Sequence, residues 1–196
     1  MAERYGAPLR TVAPDDHRRL RSLTGLGFAF DRKDVDWRIP TGGHRGGEAD
    51  WTLKRSDEVD LDRLREWDDE MRQYVPGTRG WRWDPAEFAE ELADSPPYDP
   101  ALYLLAFDPD GEFAGMGRTW LNRDGARIGF VGARPRFRSR GLGGHLARRM
   151  LAELDDRGHT SAYFNIDSAN AASTAMAEKM GATAVGATYE LVWFAD

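Results

Sequence analysis

The stretch that decides the fold runs from Val131 to Gly144 and reads VGARPRFRSRGLGG. It joins an apolar strand end, a proline-arginine turn and a glycine-rich loop that opens a helix. Glycines at 141, 143 and 144 let the backbone approach a ligand closely. A helix N-terminus also presents unpaired amides and the positive end of its dipole. This pattern predicts a binding site for an anion such as a pyrophosphate.

Other interpretations of the loop are weaker. A Walker loop ends in Gly-Lys-Ser/Thr, which is absent here, and a dinucleotide fingerprint should directly follow its strand. Six arginines and no carboxylate lie between Arg134 and Arg149, in a chain whose net charge is -6. The arginines favour an anion site. A structural alternative stays open, in which the glycines serve only a tight turn and the arginines form a solvated face.

The elements on both sides of this stretch follow from hydrophobic periodicity. Upstream we predict strands at 51–55, 101–107, 112–121 and 126–134, and helices at 60–74 and 85–93, the second capped by Asp84. Downstream we predict a helix from Leu142 to near Gly158, a strand at 160–166, a helix at 170–180, and an apolar stretch at 184–194 broken into two short strands. The order indicates an α+β fold with a mostly antiparallel central sheet flanked by helices.

The hexapeptide Arg138 to Gly143, RSRGLG, resembles the Arg/Gln-x-x-Gly-x-Gly/Ala signature of the GNAT superfamily of N-acetyltransferases. The element order from roughly residue 50 to 196 is also similar to that family. The resemblance implies the GNAT fold, acetyl-CoA as co-substrate and no metal. Loop amides would hold the pyrophosphate, and a bulged strand end would bind the pantetheine arm. The implied coenzyme-binding residues are Val131, Gly132, Ala133, Arg138, Ser139, Arg140, Gly141, Leu142, Gly143, Gly144 and Asn170.

A second block, FNIDSANAASTAMAEKMGA at 164–182, resembles the family's downstream signature only in part. Asn170 matches its asparagine. Ala177 stands where a tyrosine usually protonates the leaving thiolate, and Asn165 stands where a glutamate base often lies. We expect catalysis to survive, because positioning is worth about 7 to 11 kcal/mol and acid-base terms only about 10²- to 10⁴-fold. Asp167 is our candidate catalytic residue, with Tyr163 and Ser168 as further substitutes.

The acceptor is expected to be a small molecule or peptide with a primary amine. The resemblance places its pocket beside the first two helices of the family domain, where carboxylates and tryptophans suit a cation. We predict that Trp67, Glu70 and Trp81 contact it, within a group that includes Asp68, Asp69 and Trp83. The alternative is a solvated acidic helix face with its tryptophans in the core.

The segment at 41–47, TGGHRGG, is typical of a flexible connection. We therefore predict an N-terminal extension at 1–47 and the GNAT domain at 48–196. Residues 15–39 form a helix, a Leu-Gly-Phe ending and a strand, which resembles the end of a GNAT domain. They fit a degenerate half-repeat, as in tandem members, or an ordinary extension. No phosphate loop occurs there.

Composition limits the remaining possibilities. A length of 196 residues suits one catalytic unit, and 41% hydrophobic residues fit a globular protein. No apolar run is long enough for a membrane span, and the absence of cysteine fits a cytoplasmic protein. The negative net charge argues against nucleic acid as a partner. We expect acetyl transfer, with a non-catalytic acyl-CoA-binding module as the alternative, and a homodimer formed through Tyr189 to Phe194.

Overall fold

The computed structural model describes residues 8–46, 50–75, 78, 80–94 and 98–194. The strands are β1 (Leu9–Pro14), β2 (Ala29–Pro40), β3 (Thr52–Arg55), β4 (Tyr103–Phe107), β5 (Phe113–Asn122), β6 (Gly125–Ala133), β7 (Ser161–Asp167) and β8 (Thr183–Trp193). The α-helices are α1 (His17–Gly25), α2 (Leu61–Arg72), α3 (Pro85–Asp94), α4 (Leu142–Asp156) and α5 (Ala171–Lys179). The chain divides into two compact units. Unit 1 takes Met1–Arg38 and Asn165–Asp196, and unit 2 takes Ile39–Phe164.

Unit 2 contains sheet strands in the order β7-β6-β5-β4-β3, of which β7 contributes only residues 161–164 to this unit. Its neighbouring strands are antiparallel, except that β6 and β7 run parallel. The helix starts follow from the sequence, because Asp60 accepts a hydrogen bond from the amide of Arg63, and Asp84 accepts from the amide of Ala86. The predicted cap at Asp84 is therefore confirmed.

The core of unit 2 is aromatic and thioether-rich where α2 and α3 meet the sheet. Trp67, which is partly buried, stacks on Phe113 with ring centroids 4.7 Å apart. The fully buried members of this cluster are Leu64, Met71, Phe88, Tyr103, Leu105, Phe107, Phe113 and Met116. The cluster fixes α2 and α3 because apolar area buried this way stabilises by about 25 cal/mol per Å².

Helix α4 lies unusually close to β5, because two positions on that strand are glycine. A β-carbon at Gly117 would lie 2.7 Å from the Cε of Met150, and one at Gly115 would lie 3.1 Å from a methyl group of Leu142. A β-carbon at Gly115 would also lie 2.9 Å from the Cα of Ala133. Glycine at these positions therefore sets the distance at which α4 and the loop before it are held.

Unit 1 is built around β8, which pairs antiparallel with β1 on one side and with β2 on the other. Both edges of β8 are therefore occupied from Thr188 to Val192, and a second copy could meet this part of the strand only through side chains. The predicted homodimer stays a prediction. Asp16 is the N-cap of α1, and its side chain accepts a hydrogen bond from the amide of Arg19.

The predicted α+β class with mostly antiparallel strands is confirmed. Two details of the sequence-based prediction were wrong: β1 was not expected, and residues 183–193 form one strand rather than two. A register shift against β2, between Asp36 and Trp37, lets β8 continue past Gly186. The predicted boundary between residues 47 and 48 lies outside the described residues. Over those residues, none of the helices has the length and apolar character needed to cross a membrane.

We expect Gly115→Ala to lower the free energy of unfolding by about 1 to 3 kcal/mol, because the new methyl group collides with β6 backbone that cannot move aside. Gly25→Ala is the control, since a β-carbon there meets nothing within 4 Å. Removing a helical glycine should stabilise by about 0.5 to 1 kcal/mol. Urea denaturation measures both, and equal stabilities would refute the close-approach argument.

Candidate active site

The loop before α4 ends in unpaired amides. Gly141 is the N-cap residue, with φ 77° and ψ 0°, and no side chain caps the helix. The first hydrogen bond of the helix runs from the amide of His145 to the carbonyl of Gly141, at 3.0 Å. Among the described residues, the amides of Leu142, Gly143 and Gly144 therefore have no partner. Such a helix start favours an anion.

The loop is folded back onto the end of β6. Ser139 has a φ of 60°, in the left-handed region that few residues other than glycine adopt. The Nε of Arg138 donates a hydrogen bond of 3.2 Å to the carbonyl of Ala133, and its guanidinium lies 4.9 Å from the ring of Tyr74. The structure thus brings the predicted loop residues and the predicted strand end of unit 2 together.

The arginines around the loop differ in how their charge is balanced. Arg134 forms two hydrogen bonds to Glu70, of 2.7 and 2.5 Å, and Arg136 pairs with Glu112. Within the described part of the chain, four others have no carboxylate partner, and these are Arg138, Arg140, Arg148 and Arg149. An excess of positive charge therefore surrounds the N-terminal half of α4.

Strand β6 has a bulge and an open side. Its register against β5 shifts by one residue at Gly129, where a β-carbon would overlap the ring of Trp120. On the other side, the described pairing with β7 involves only Ala126 and Arg127. Residues 128–133 thus present backbone groups without a strand partner on that side. An extended ligand arm could pair with them as an added strand.

In unit 1, a carboxylate that the sequence analysis missed lies beside Asn165. The side-chain amide of Asn165 donates a hydrogen bond to Asp36 of β2. The hydroxyl of Thr188 on β8 donates to both oxygens of the same carboxylate, at 3.2 and 3.3 Å. Asp36 is half-buried, and these partners are neutral. No local signal could have found Asp36, because its position depends on three strands that are distant in sequence.

The predicted residues Asp167 and Asn170 are engaged in the turn that leads into α5. The carboxylate of Asp167 accepts a hydrogen bond of 2.8 Å from the amide of Ala169. Asn170 is the N-cap of α5, and its side chain accepts from the amide of Ser173 at 3.1 Å. Both contacts are structural. A catalytic role for Asp167 and coenzyme binding by Asn170 stay predictions.

The predicted acceptor residues were Trp67, Glu70 and Trp81. Trp67 belongs to the aromatic core, and Glu70 is held by Arg134. Trp81 is 45% exposed, and its ring centroid lies 4.6 Å from that of Trp83. Of these three side chains, Trp81 presents the most open aromatic surface. Acceptor binding by all three stays a prediction.

Asp68 is 4% exposed and accepts three hydrogen bonds. The donors are the Nε of Arg72, the indole of Trp83 at 2.8 Å and the hydroxyl of Tyr103 at 2.5 Å. Burial raises the pKa of Tyr103 well above its usual value, and the adjacent charge of Asp68 adds to the effect. The alternative prediction, that the acidic face of α2 is solvated, is thus wrong for Asp68.

Comparison with known proteins gives a family match over most of the chain. Residues 61–182 match the model of the acetyltransferase (GNAT) family. A mycothiol acetyltransferase of Clavibacter sepedonicus is 28% identical over 185 residues, which cover 90% of this chain and 59% of the relative. The chain therefore spans less than two thirds of that relative's length.

Solved structures share the fold at low identity. A GCN5-related N-acetyltransferase from Sphaerobacter thermophilus gives a TM-score of 0.75 at 16% identity, covering 96% of this chain and 60% of that one. A tandem GNAT protein from the clavulanic acid biosynthesis pathway gives 0.70 at 12% identity, covering 96% and 64%. At these identities, the similarity concerns the fold alone.

We expect Asp68→Ala to lower the free energy of unfolding by about 3 to 5 kcal/mol, because the buried Tyr103 and the partly buried Arg72 and Trp83 lose their acceptor. Glu66→Ala is the control. It removes a 2.9 Å pair with Arg63 at the surface, which should cost no more than about 1 kcal/mol. Urea denaturation followed by tryptophan fluorescence measures both. If the two variants lost similar amounts of unfolding free energy, the argument that the buried hydrogen bonds of Asp68 stabilise the fold more than a surface ion pair would be wrong.

Proposed function

Because the chain belongs to the GNAT acetyltransferase family, we propose that it transfers an acetyl group from acetyl-CoA to a primary amine by direct attack in a ternary complex. The amine nitrogen forms a bond to the thioester carbonyl carbon, and the carbon-sulfur bond breaks. The amine loses a proton to a base, and the coenzyme leaves as thiolate or thiol. The acceptor would be a small molecule or a peptide.

The observation that carries the proposal is the uncapped start of α4, where the amides of Leu142, Gly143 and Gly144 have no partner among the described residues. These amides, together with unbalanced arginines such as Arg140, suit the pyrophosphate of coenzyme A. The open side of β6 suits the amide-bearing pantetheine arm. The residues present therefore fit the coenzyme, whose thioester supplies the activated acyl group.

A proton acceptor is needed because amines are mostly protonated at neutral pH. For a pKa of about 10.4, supplying the free amine at pH 7 costs roughly 4.6 kcal/mol. We propose Asp167, the candidate from the sequence, as this acceptor.

A turnover assay against a panel of amines tests the enzyme proposal, with release of free coenzyme A as the readout. The similarity to a protein named mycothiol acetyltransferase puts mycothiol-related amines first in the panel. The second candidate, a non-catalytic acyl-CoA-binding module, is favoured by Ala177, which has no proton to donate. Tight acetyl-CoA binding without turnover on any amine would support that module instead.

We expect Gly143→Val to weaken acetyl-CoA binding at least tenfold, which corresponds to about 1.4 kcal/mol. The branched side chain would block the approach of phosphate oxygens to the helix start, whereas Leu146 and Met150 still anchor α4. Calorimetric titration of the folded variant measures the affinity. Gly42→Val is the control, because a β-carbon there lies 3.6 Å from Asp155, an ordinary contact. Unchanged affinity of Gly143→Val for acetyl-CoA would refute the proposal that the start of α4 binds the pyrophosphate.

We expect Asp167→Asn to lower kcat by about 10²- to 10⁴-fold, because the amine loses its proton acceptor, with the KM for acetyl-CoA nearly unchanged. Steady-state kinetics at a fixed pH measures both constants. Asp31→Asn, which removes a carboxylate of β2, is the control and should keep the rate. An unchanged kcat in Asp167→Asn would contradict the assignment.

A further inference from the structure

A cavity in unit 2 lies against the outer face of α4. Its volume is about 260 Å³, and it lies between that face and the segment at 44–46. The lining side chains include His44, Arg45, His145, Arg148, Arg149 and Asp156. Neither the loop motif nor the core of unit 2 accounts for this concentration of basic groups.

The charges in the cavity are unevenly balanced. Arg45 pairs with Asp156 and lies 3.5 Å from Asp155. Arg148 and Arg149 have no carboxylate partner in the described part of the chain. His145 is 9% exposed, and its pKa is lowered by burial and then by the charges of these two arginines. The lowered pKa of His145 indicates that a further positive charge is unfavourable beside the two arginines. A bound anion would be stabilised there for the same reason.

The cavity adjoins the start of α4. The Nη1 of Arg148 lies 3.3 Å from the position that a β-carbon on Gly144 would take, so this guanidinium reaches back over the first turn of the helix. Gly144 carries one of the three unpaired amides. An anion in the cavity and a pyrophosphate at the helix start could therefore belong to one ligand.

We propose that Arg148, Arg149 and His145 bind the 3′-phosphate of coenzyme A. The inference rests on the proposed function, because it assumes that the coenzyme occupies the loop. Coenzyme A carries this phosphate monoester one ribose away from its pyrophosphate, and arginine is well suited to phosphate oxygens. The cavity then makes the protein select coenzyme A over its dephospho form.

The first test is calorimetric titration with acetyl-CoA and with acetyl-dephospho-CoA. We expect the wild-type protein to bind acetyl-CoA at least tenfold more tightly. The double variant Arg148→Ala/Arg149→Ala should bind both ligands equally, with the affinity that the wild type has for the dephospho form. Arg148→Lys/Arg149→Lys should restore part of the preference. Arg63→Ala, which removes a surface arginine paired with Glu66, is the control and should keep the full preference.

The second test follows the imidazole of His145 by NMR titration. A nearby dianion stabilises the protonated ring, so coenzyme A should raise the pKa of His145 and dephospho-coenzyme A should not. The other charged or titratable groups that line the cavity are His44, Arg45, Arg148, Arg149 and Asp156. His17 on α1 is the internal control and should not shift.

Each outcome decides between the two proposals. Equal wild-type affinities for both coenzymes would overturn the 3′-phosphate site and leave the proposed function standing. A preference that survives in the alanine double variant would also overturn it. If inorganic phosphate shifts His145 but the two coenzymes bind alike, the cavity takes a free anion and not the coenzyme. Failure of both coenzymes to bind would refute the proposed function and this inference with it.

Discussion

The position of the candidate coenzyme loop depends on how closely α4 packs against β5. Gly115 and Gly117 lack the side chains that would push the helix away, and Leu142, Leu146 and Met150 fill the space between. Leu142 is both the first residue of α4 and a fully buried anchor, so the loop cannot shift without disturbing the core. Tight packing of this kind holds a helix start rigidly. A site made of backbone amides needs that rigidity, because amides cannot adjust as long side chains can.

Each unit has its own local charge pattern. In unit 2, the glutamates near the loop are bound to Arg134 and Arg136, and unbalanced positive charge is left around α4. In unit 1, Asp36 and its neighbouring carboxylates leave negative charge that only partly meets arginine. The net charge of -6 is a total over the chain and reports neither of these local patterns.

The sequence predicts what depends on local spacing. Apolar steps of three and four residues gave α2 and α4, and the glycines with their arginines gave the loop. Strand β1 was missed because only Ala13 of its six residues is buried, so it shows little periodicity. Asp68 and Asp36 could not be assigned, since their donors come from elements far along the chain. Local patterns report which residues face a core, but not which polar groups meet within it.

The central place of β8 in unit 1 has a consequence for how the chain folds. Strands β1 and β2 are synthesised before β8. Within unit 1, however, both of them pair with β8, which begins only at Thr183. Synthesis proceeds at about 5 to 20 residues per second. The two early strands therefore wait several seconds before their shared partner in unit 1 has been synthesised. Until then, the edges of β1 and β2 that will face β8 are open to non-native strand pairing.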